Sequence, residues 1–123
     1  MSPKQEALAI RPDPRYLTRI AIFYGPYQKQ ILTNYSINMS TGGVFVESSM
    51  ILQEDTELTV KFKLPGSDTI IVAKVRVAWT NGPDSLKKTA LPFGMGLQFL
   101  DLSSEDMYAI RTYLDKGAFV PTW

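Results

Sequence analysis

ELTVKFKLPGSDTIIVAKVRVAW, residues 57–79, contains two segments in which apolar and polar side chains alternate. Successive residues of a β-strand point to opposite faces, so an alternation of period two predicts strands that bury one face in an antiparallel sheet. PGSD, residues 65–68, separates the two segments and has the composition of a tight turn. The stretch therefore predicts a β-hairpin. The predicted buried faces of its two strands carry Leu58, Val60, Phe62, Leu64, Ile71, Ala73, Val75, Val77 and Trp79.

Four other segments also have the composition of strands, because they are rich in β-branched and aromatic residues. They are residues 16–24, 31–37, 44–48 and 94–100. Together with the hairpin they make six strands, each short and separated from the next by turn or loop residues. This many short strands predicts an all-β fold, either a small closed barrel or a sandwich.

The apolar period changes after residue 100. Met107, Ile110 and Leu114 recur at the spacing of one helical stripe, which predicts a C-terminal α-helix over about residues 103–117. Ser103 is a residue type favoured at the helix N-cap, since its hydroxyl can accept a hydrogen bond from a backbone amide of the first turn. We expect the helix to pack on one end of the barrel or sandwich.

Composition limits the function. The chain has 123 residues, enough for one domain, and its cysteine and histidine counts are both zero. Zinc sites of Cys and His, catalytic triads and histidine bases are therefore excluded. We predict that the protein is not an enzyme, has no catalytic residue and no metal site, and needs no cofactor.

Charge and hydropathy limit the partners. The net charge of +1 gives no general field for a nucleic acid polymer. No apolar run reaches the ~18 residues that span a bilayer, and the N-terminus has no signal-like segment, so membrane insertion is not expected. We predict a cytoplasmic protein.

NMSTGG, residues 38–43, lies between two predicted strands and has two interpretations. Asn and Ser side chains can bond to the backbone of a turn, while Gly42 and Gly43 permit positive φ or the close approach of another group. A structural turn is the common use of such residues. The same groups can also hold a ligand.

Arg11 and Arg15 stand four residues apart just before the first predicted strand. In an extended segment their side chains project on the same side. Two guanidinium groups held together suit an anion, because each forms paired hydrogen bonds to phosphate and can bond a guanine edge. The alternative is a solvated tail.

In combination, the R-x-x-x-R sequence of Arg11 and Arg15 and the N-x-S-x-x-G sequence of Asn38, Ser40 and Gly43 resemble the two motifs of the PilZ domain. The V-x-V-x-W sequence that ends at residue 79, the segment GMGLQFLDLS and the terminal helix also fall where a PilZ domain has them. The resemblance extends from about residue 11 to residue 115, nearly the whole chain.

The resemblance implies a six-stranded antiparallel β-barrel with a C-terminal α-helix, and a receptor for the bacterial second messenger cyclic di-GMP. By the family pattern, Arg11 and Arg15 would bind its phosphates and guanines. Asn38 and Ser40 would hydrogen-bond the nucleotide, and Gly43 would permit the turn that presents them. Many members have Asp in place of Asn38, and an amide oxygen offers a guanine edge less negative charge than a carboxylate does.

We expect an N-terminal arm (1–10), one PilZ-like domain (11–117) that includes the arginine motif, and a C-terminal tail (118–123). In this interpretation the arm is mobile until the ligand draws its arginines onto the barrel, and the ordered arm signals to a separate, unidentified protein. Motility, biofilm formation and polysaccharide secretion are the usual outputs of the family. The chain is expected to be a monomer or a dimer.

Two alternatives stay open. Some members of the PilZ family keep the barrel and serve as protein adaptors of type IV pilus or motility systems that bind no nucleotide, and the chain could be one of them, although those usually lack the arginine motif. A small barrel can also bind RNA or single-stranded DNA on a basic face with interleaved aromatic residues. The strand of Lys61 and Lys63 lacks such aromatics, since Phe62 alternates to the opposite face. Lys74 and Arg76 are expected on a solvated strand face.

Overall fold

A computed structural model describes residues 16–25, 32–83 and 90–116. The described residues form seven strands and one helix. The strands are β1 (Tyr16–Leu17), β2 (Ala21–Gly25), β3 (Leu32–Met39), β4 (Gly43–Glu47), β5 (Glu57–Lys63), β6 (Ile70–Asn81) and β7 (Gly94–Phe99), and helix α1 is Ser104–Lys116. The predicted strands and the predicted helix are thus confirmed in type and order.

The strands form one closed sheet. Their order is β1-β3-β2-β5-β6-β7-β4, every pairing is antiparallel, and an additional pairing of β3 with β4 closes the ring. Six strands make the barrel, and β1 is a short extra strand beside β3. The prediction of a six-stranded antiparallel β-barrel with a C-terminal helix is confirmed.

The first predicted strand, 16–24, is divided into β1 and β2 by a bulge. Leu17 pairs with Asn38 and Ala21 pairs with Tyr35, so three residues on one side face two on β3. The Ser36 side chain fills the gap. Its Oγ accepts a hydrogen bond from the Ile20 backbone N–H at 2.9 Å and bonds the Thr18 hydroxyl at 2.7 Å. A buried serine therefore supports the bulge.

The hairpin of residues 57–79 has the predicted alternation, with one exception. Its inward side chains are buried in the core, except that Trp79 lies outside the core cluster. The pairing of β6 with β7 shifts between Val77 and Trp79, which places a bulge at Ala78. Because a bulge adds one residue to the strand, Trp79 turns to the outer face. The prediction that it shares the face of Val77 is wrong for this reason.

Helix α1 closes the core with Ile110 and Leu114, which are buried as predicted. Met107 of the predicted stripe is 37% exposed, so the stripe is shorter than the sequence suggests. Ser103 Oγ accepts from the Asp106 backbone N–H at 3.0 Å, as expected of an N-cap.

No helix within the described residues is long and apolar enough to cross a membrane. The predicted arm (1–10) and tail (118–123) lie outside the described residues, so these boundaries stay predictions.

Candidate functional site

The NMSTGG segment forms the tight connection from β3 to β4. The Ser40 backbone N–H donates to the Gly43 carbonyl at 2.9 Å, and Ser40 Oγ accepts from the Gly42 backbone N–H at 3.1 Å. Ser40 therefore has a structural role in closing the turn. Its side chain is also nearly buried, with the residue 7% exposed.

Gly43 is required by close packing between strands. A Cβ added at this position would lie 2.2 Å from the Leu97 carbonyl oxygen on β7, whereas one added at Gly42 would meet only Ser40 Oγ at 3.7 Å. Among the described glycines only Gly66, in the β5–β6 turn, has a positive φ. Of the two uses foreseen for these glycines, the close approach is the one observed, and it applies to Gly43.

Asn38 is a buried amide on the outer face of β3, because its neighbour Met39 points into the core. The residue is 7% exposed, and its Oδ1 accepts no hydrogen bond within the part of the chain that the structure describes. A buried acceptor without a donor costs about 1–3 kcal/mol. Such a group deserves a functional explanation, since most buried polar atoms are hydrogen-bonded.

An aromatic cluster lies beside Asn38 on the same outer face. Asn38 pairs with Phe45, which points away from the core because Val44 and Val46 point into it. The Phe45 ring stacks on Trp79 with 5.2 Å between ring centroids. Gly96 lies beneath the indole, where an added Cβ would be 2.1 Å from Trp79 Nε1. The stacked pair therefore covers the outer face of β4 directly after the turn.

Arg76 is a cation on the outer face near the turn. Gly43 pairs with Gln98 and Gln98 pairs with Arg76, so the three lie in one row across β4, β7 and β6. Arg76 Nε donates to Gln98 Oε1 at 2.7 Å, and Nη1 donates to Asp55 Oδ1 at 2.6 Å. The solvated strand face predicted for Lys74 and Arg76 is observed, since Lys74 is exposed and the Arg76 side chain is 37% exposed. The sequence does not predict that Arg76 lies in one row with the turn, because the strand register is not visible in it.

Three of the five predicted site residues, Asn38, Ser40 and Gly43, lie together where β3 turns into β4. Arg11 and Arg15 lie outside the described residues. The described chain begins at Tyr16, which pairs with Met39. The entry of the chain into the barrel is therefore beside the turn.

A separate cavity of about 520 Å³ lies between the β5–β6 turn and helix α1, away from the NMSTGG turn. Its lining includes Pro65, Tyr108, Tyr113 and Lys116. Burial raises the pKa of the Tyr113 hydroxyl above its ordinary value. Within the described residues there is no cluster of acidic side chains that could hold a metal ion.

Comparisons with known proteins agree with the fold. The family model of the PilZ domain matches residues 10–116, which confirms the resemblance drawn from the sequence. A search of curated proteins finds no significant match. Among solved structures, the chain is similar to the inhibitor of motility MotI/DgrA of Bacillus subtilis, with a TM-score of 0.63 and 22% identity. The match covers 86% of this chain and 52% of that chain, so this chain spans about half of it.

Proposed function

Because the chain belongs to the PilZ domain family, whose members are receptor and adaptor domains, we propose that it is a receptor for cyclic di-GMP. In this proposal the NMSTGG turn holds the nucleotide from the barrel side, and Arg11 and Arg15 hold it from the other side. The protein performs no chemistry on the ligand. Its output is a change of surface that a separate protein reads, and its proposed location is the cytoplasm.

The observation that carries the proposal is that Oδ1 of Asn38 is buried and accepts no hydrogen bond from the described residues. A guanine base presents N–H donors that an amide oxygen can accept from. Because Oδ1 of Asn38 is already desolvated, it has no water to release before it accepts from a guanine N–H. The aromatic support of Phe45 and Trp79 keeps the neighbouring strand in place. The barrel half of the site is thus formed before the ligand arrives, which lowers the entropic cost of that part of the binding.

The geometry at β1 supports the arginine half of the site. Arg15 is bonded to Tyr16, and Tyr16 is the partner of Met39, the residue after Asn38. In this proposal Arg15, the residue before Tyr16 in the sequence, bonds the ligand from this side of the turn. A guanidinium group and a phosphodiester form charge-assisted hydrogen bonds, which are stronger than neutral ones.

A calorimetric titration of cyclic di-GMP into the wild type, Arg15→Ala and Asn38→Ala tests the proposal. We expect saturable binding to the wild type. Arg15→Ala removes a charge-assisted contact worth about 1.5–3 kcal/mol. Its affinity for cyclic di-GMP should therefore be at least tenfold weaker than that of the wild type. Arg111→Ala is the matched control, because it removes an arginine from helix α1, and its affinity should equal that of the wild type. Absence of binding to a folded wild type would overturn the receptor function.

A PilZ-fold adaptor that binds a protein and no nucleotide is the second candidate. The low exposure of Asn38 and Ser40, 7% each, favours it, since little of either side chain is offered to a ligand. MotI/DgrA, similar in fold, is an inhibitor of motility, and a motility partner is a reasonable first choice for testing. If the titration shows no heat and no saturation, this candidate replaces the receptor.

A further inference from the structure

The outer face of β2, β5 and β6 carries apolar side chains in solvent. Phe23, Ile70 and Val72 are 41%, 55% and 50% exposed. Single exposed apolar residues are ordinary on protein surfaces, and β-branched residues suit strands in any case. A group of them on adjacent strands, with a phenylalanine among them, indicates a binding surface.

Strand register interleaves these residues with lysines. Phe23 pairs with Lys61 and Lys61 pairs with Val72, so the three form one row across the strands. Ile70 pairs with Lys63 in the next row. We call these five residues the lysine face. Four of them, all except Val72, also line a shallow cavity of about 190 Å³ together with Phe62.

We propose that the lysine face binds the surface of an anionic lipid bilayer as a peripheral contact. Lysine stems lie along apolar surface while the ammonium group reaches the polar layer, so Lys61 and Lys63 can bond lipid phosphates. Phe23, Ile70 and Val72 then enter the boundary between headgroups and acyl chains. The proposal goes beyond the receptor function and does not depend on it.

The composition of the face favours lipid over other partners. The cores of protein interfaces are depleted in lysine, and both cations of this face are lysines. Single-stranded nucleic acid needs successive aromatic platforms. Phe23 is the one aromatic residue of the face, and the nearby Tyr35 ring already carries the Arg19 guanidinium at 4.2 Å. Ile70 and Val72, the most exposed apolar members, cannot stack on bases.

Among the described residues, Asp68 is an acidic residue at the margin of the lysine face. Lys63 Nζ lies 3.9 Å from Asp68 Oδ1, and both side chains are exposed. Such a pair is weak in water, so Lys63 remains available to a lipid phosphate. The Asp68 carboxylate should itself oppose an anionic surface, and Asp68→Asn is therefore expected to increase binding to it.

Sedimentation with vesicles, without cyclic di-GMP, tests this proposal. We expect the full chain to bind vesicles of phosphatidylglycerol and phosphatidylethanolamine, to bind phosphatidylcholine vesicles much less, and to lose binding at high salt. Lys61→Ala and Lys63→Ala should each lower the partition coefficient about fivefold, the effect expected of one lysine near an anionic surface. Arg111→Gln is the control, because it removes one positive charge, as each lysine variant does, but from helix α1. It should change the partition coefficient little.

Three results would overturn the proposal. One is the absence of binding to anionic vesicles. Another is binding that Lys61→Ala and Phe23→Ser leave unchanged while both variants unfold at the wild-type temperature. The third is binding of oligodeoxythymidine, abolished by Phe23→Ser, without binding of vesicles, which would assign the face to nucleic acid. The receptor function is unaffected by any of them, because the titration with cyclic di-GMP is measured without lipid.

Discussion

At the scale of single residues, the N-x-S-x-x-G sequence serves two purposes. Ser40 and Gly43 hold the turn and its contact with β7, as their hydrogen bonds and packing show. Asn38 has no such structural bond on its Oδ1 within the described residues. Ser40 and Gly43 of the motif therefore have structural roles, and the binding interpretation depends on Asn38.

Gly43→Ala should destabilise the fold by about 1–3 kcal/mol, because the new methyl group would overlap the Leu97 carbonyl and push β4 away from β7. Gly42→Ala is the matched control, since its Cβ would make an ordinary contact of 3.7 Å. Urea unfolding of both variants measures the difference. Equal free energies of unfolding for the two variants would contradict the claim that β4 and β7 are too close for a side chain at residue 43.

At the scale of elements, the sequence predicts strands better than it predicts their registers. Alternation in residues 57–79 identifies β5, β6 and the turn between them. The bulges at 18–20 and at Ala78 do not appear in the apolar pattern, because each depends on a partner strand distant in sequence. The same limit explains why the outward turn of Trp79 and the position of Arg76 beside the turn were not foreseen.

Ser36→Ala tests the bulge between β1 and β2. The variant leaves the buried Ile20 N–H without an acceptor, so unfolding free energy should fall by about 1–3 kcal/mol. Thr18→Val removes only the bond between the two hydroxyls and should cost less. Thermal or urea unfolding measures both. A larger loss for Thr18→Val than for Ser36→Ala would contradict the support that we assign to Ser36.

At the scale of the whole molecule, the pairing of β3 with both β1 and β4 gives the site its position. The pairing of β4 with both β3 and β7 holds the turn against β7. The pairing of β1 with β3 places Tyr16 beside Met39. The all-β fold and the family could be predicted from the sequence, because alternation and two short motifs are local. The lysine face could not, since its apolar and cationic residues interleave across strands and not along one.

In the proposed receptor, the turn and the arginine segment close on the same nucleotide. Amide hydrogen exchange with and without saturating cyclic di-GMP measures both parts in one experiment. We predict slower exchange in residues 8–18 and in the 38–43 turn, with helix α1 unchanged as the internal reference. Unchanged exchange in residues 8–18 while ligand is bound would contradict the claim, because the arginine segment would then take no part in holding the ligand.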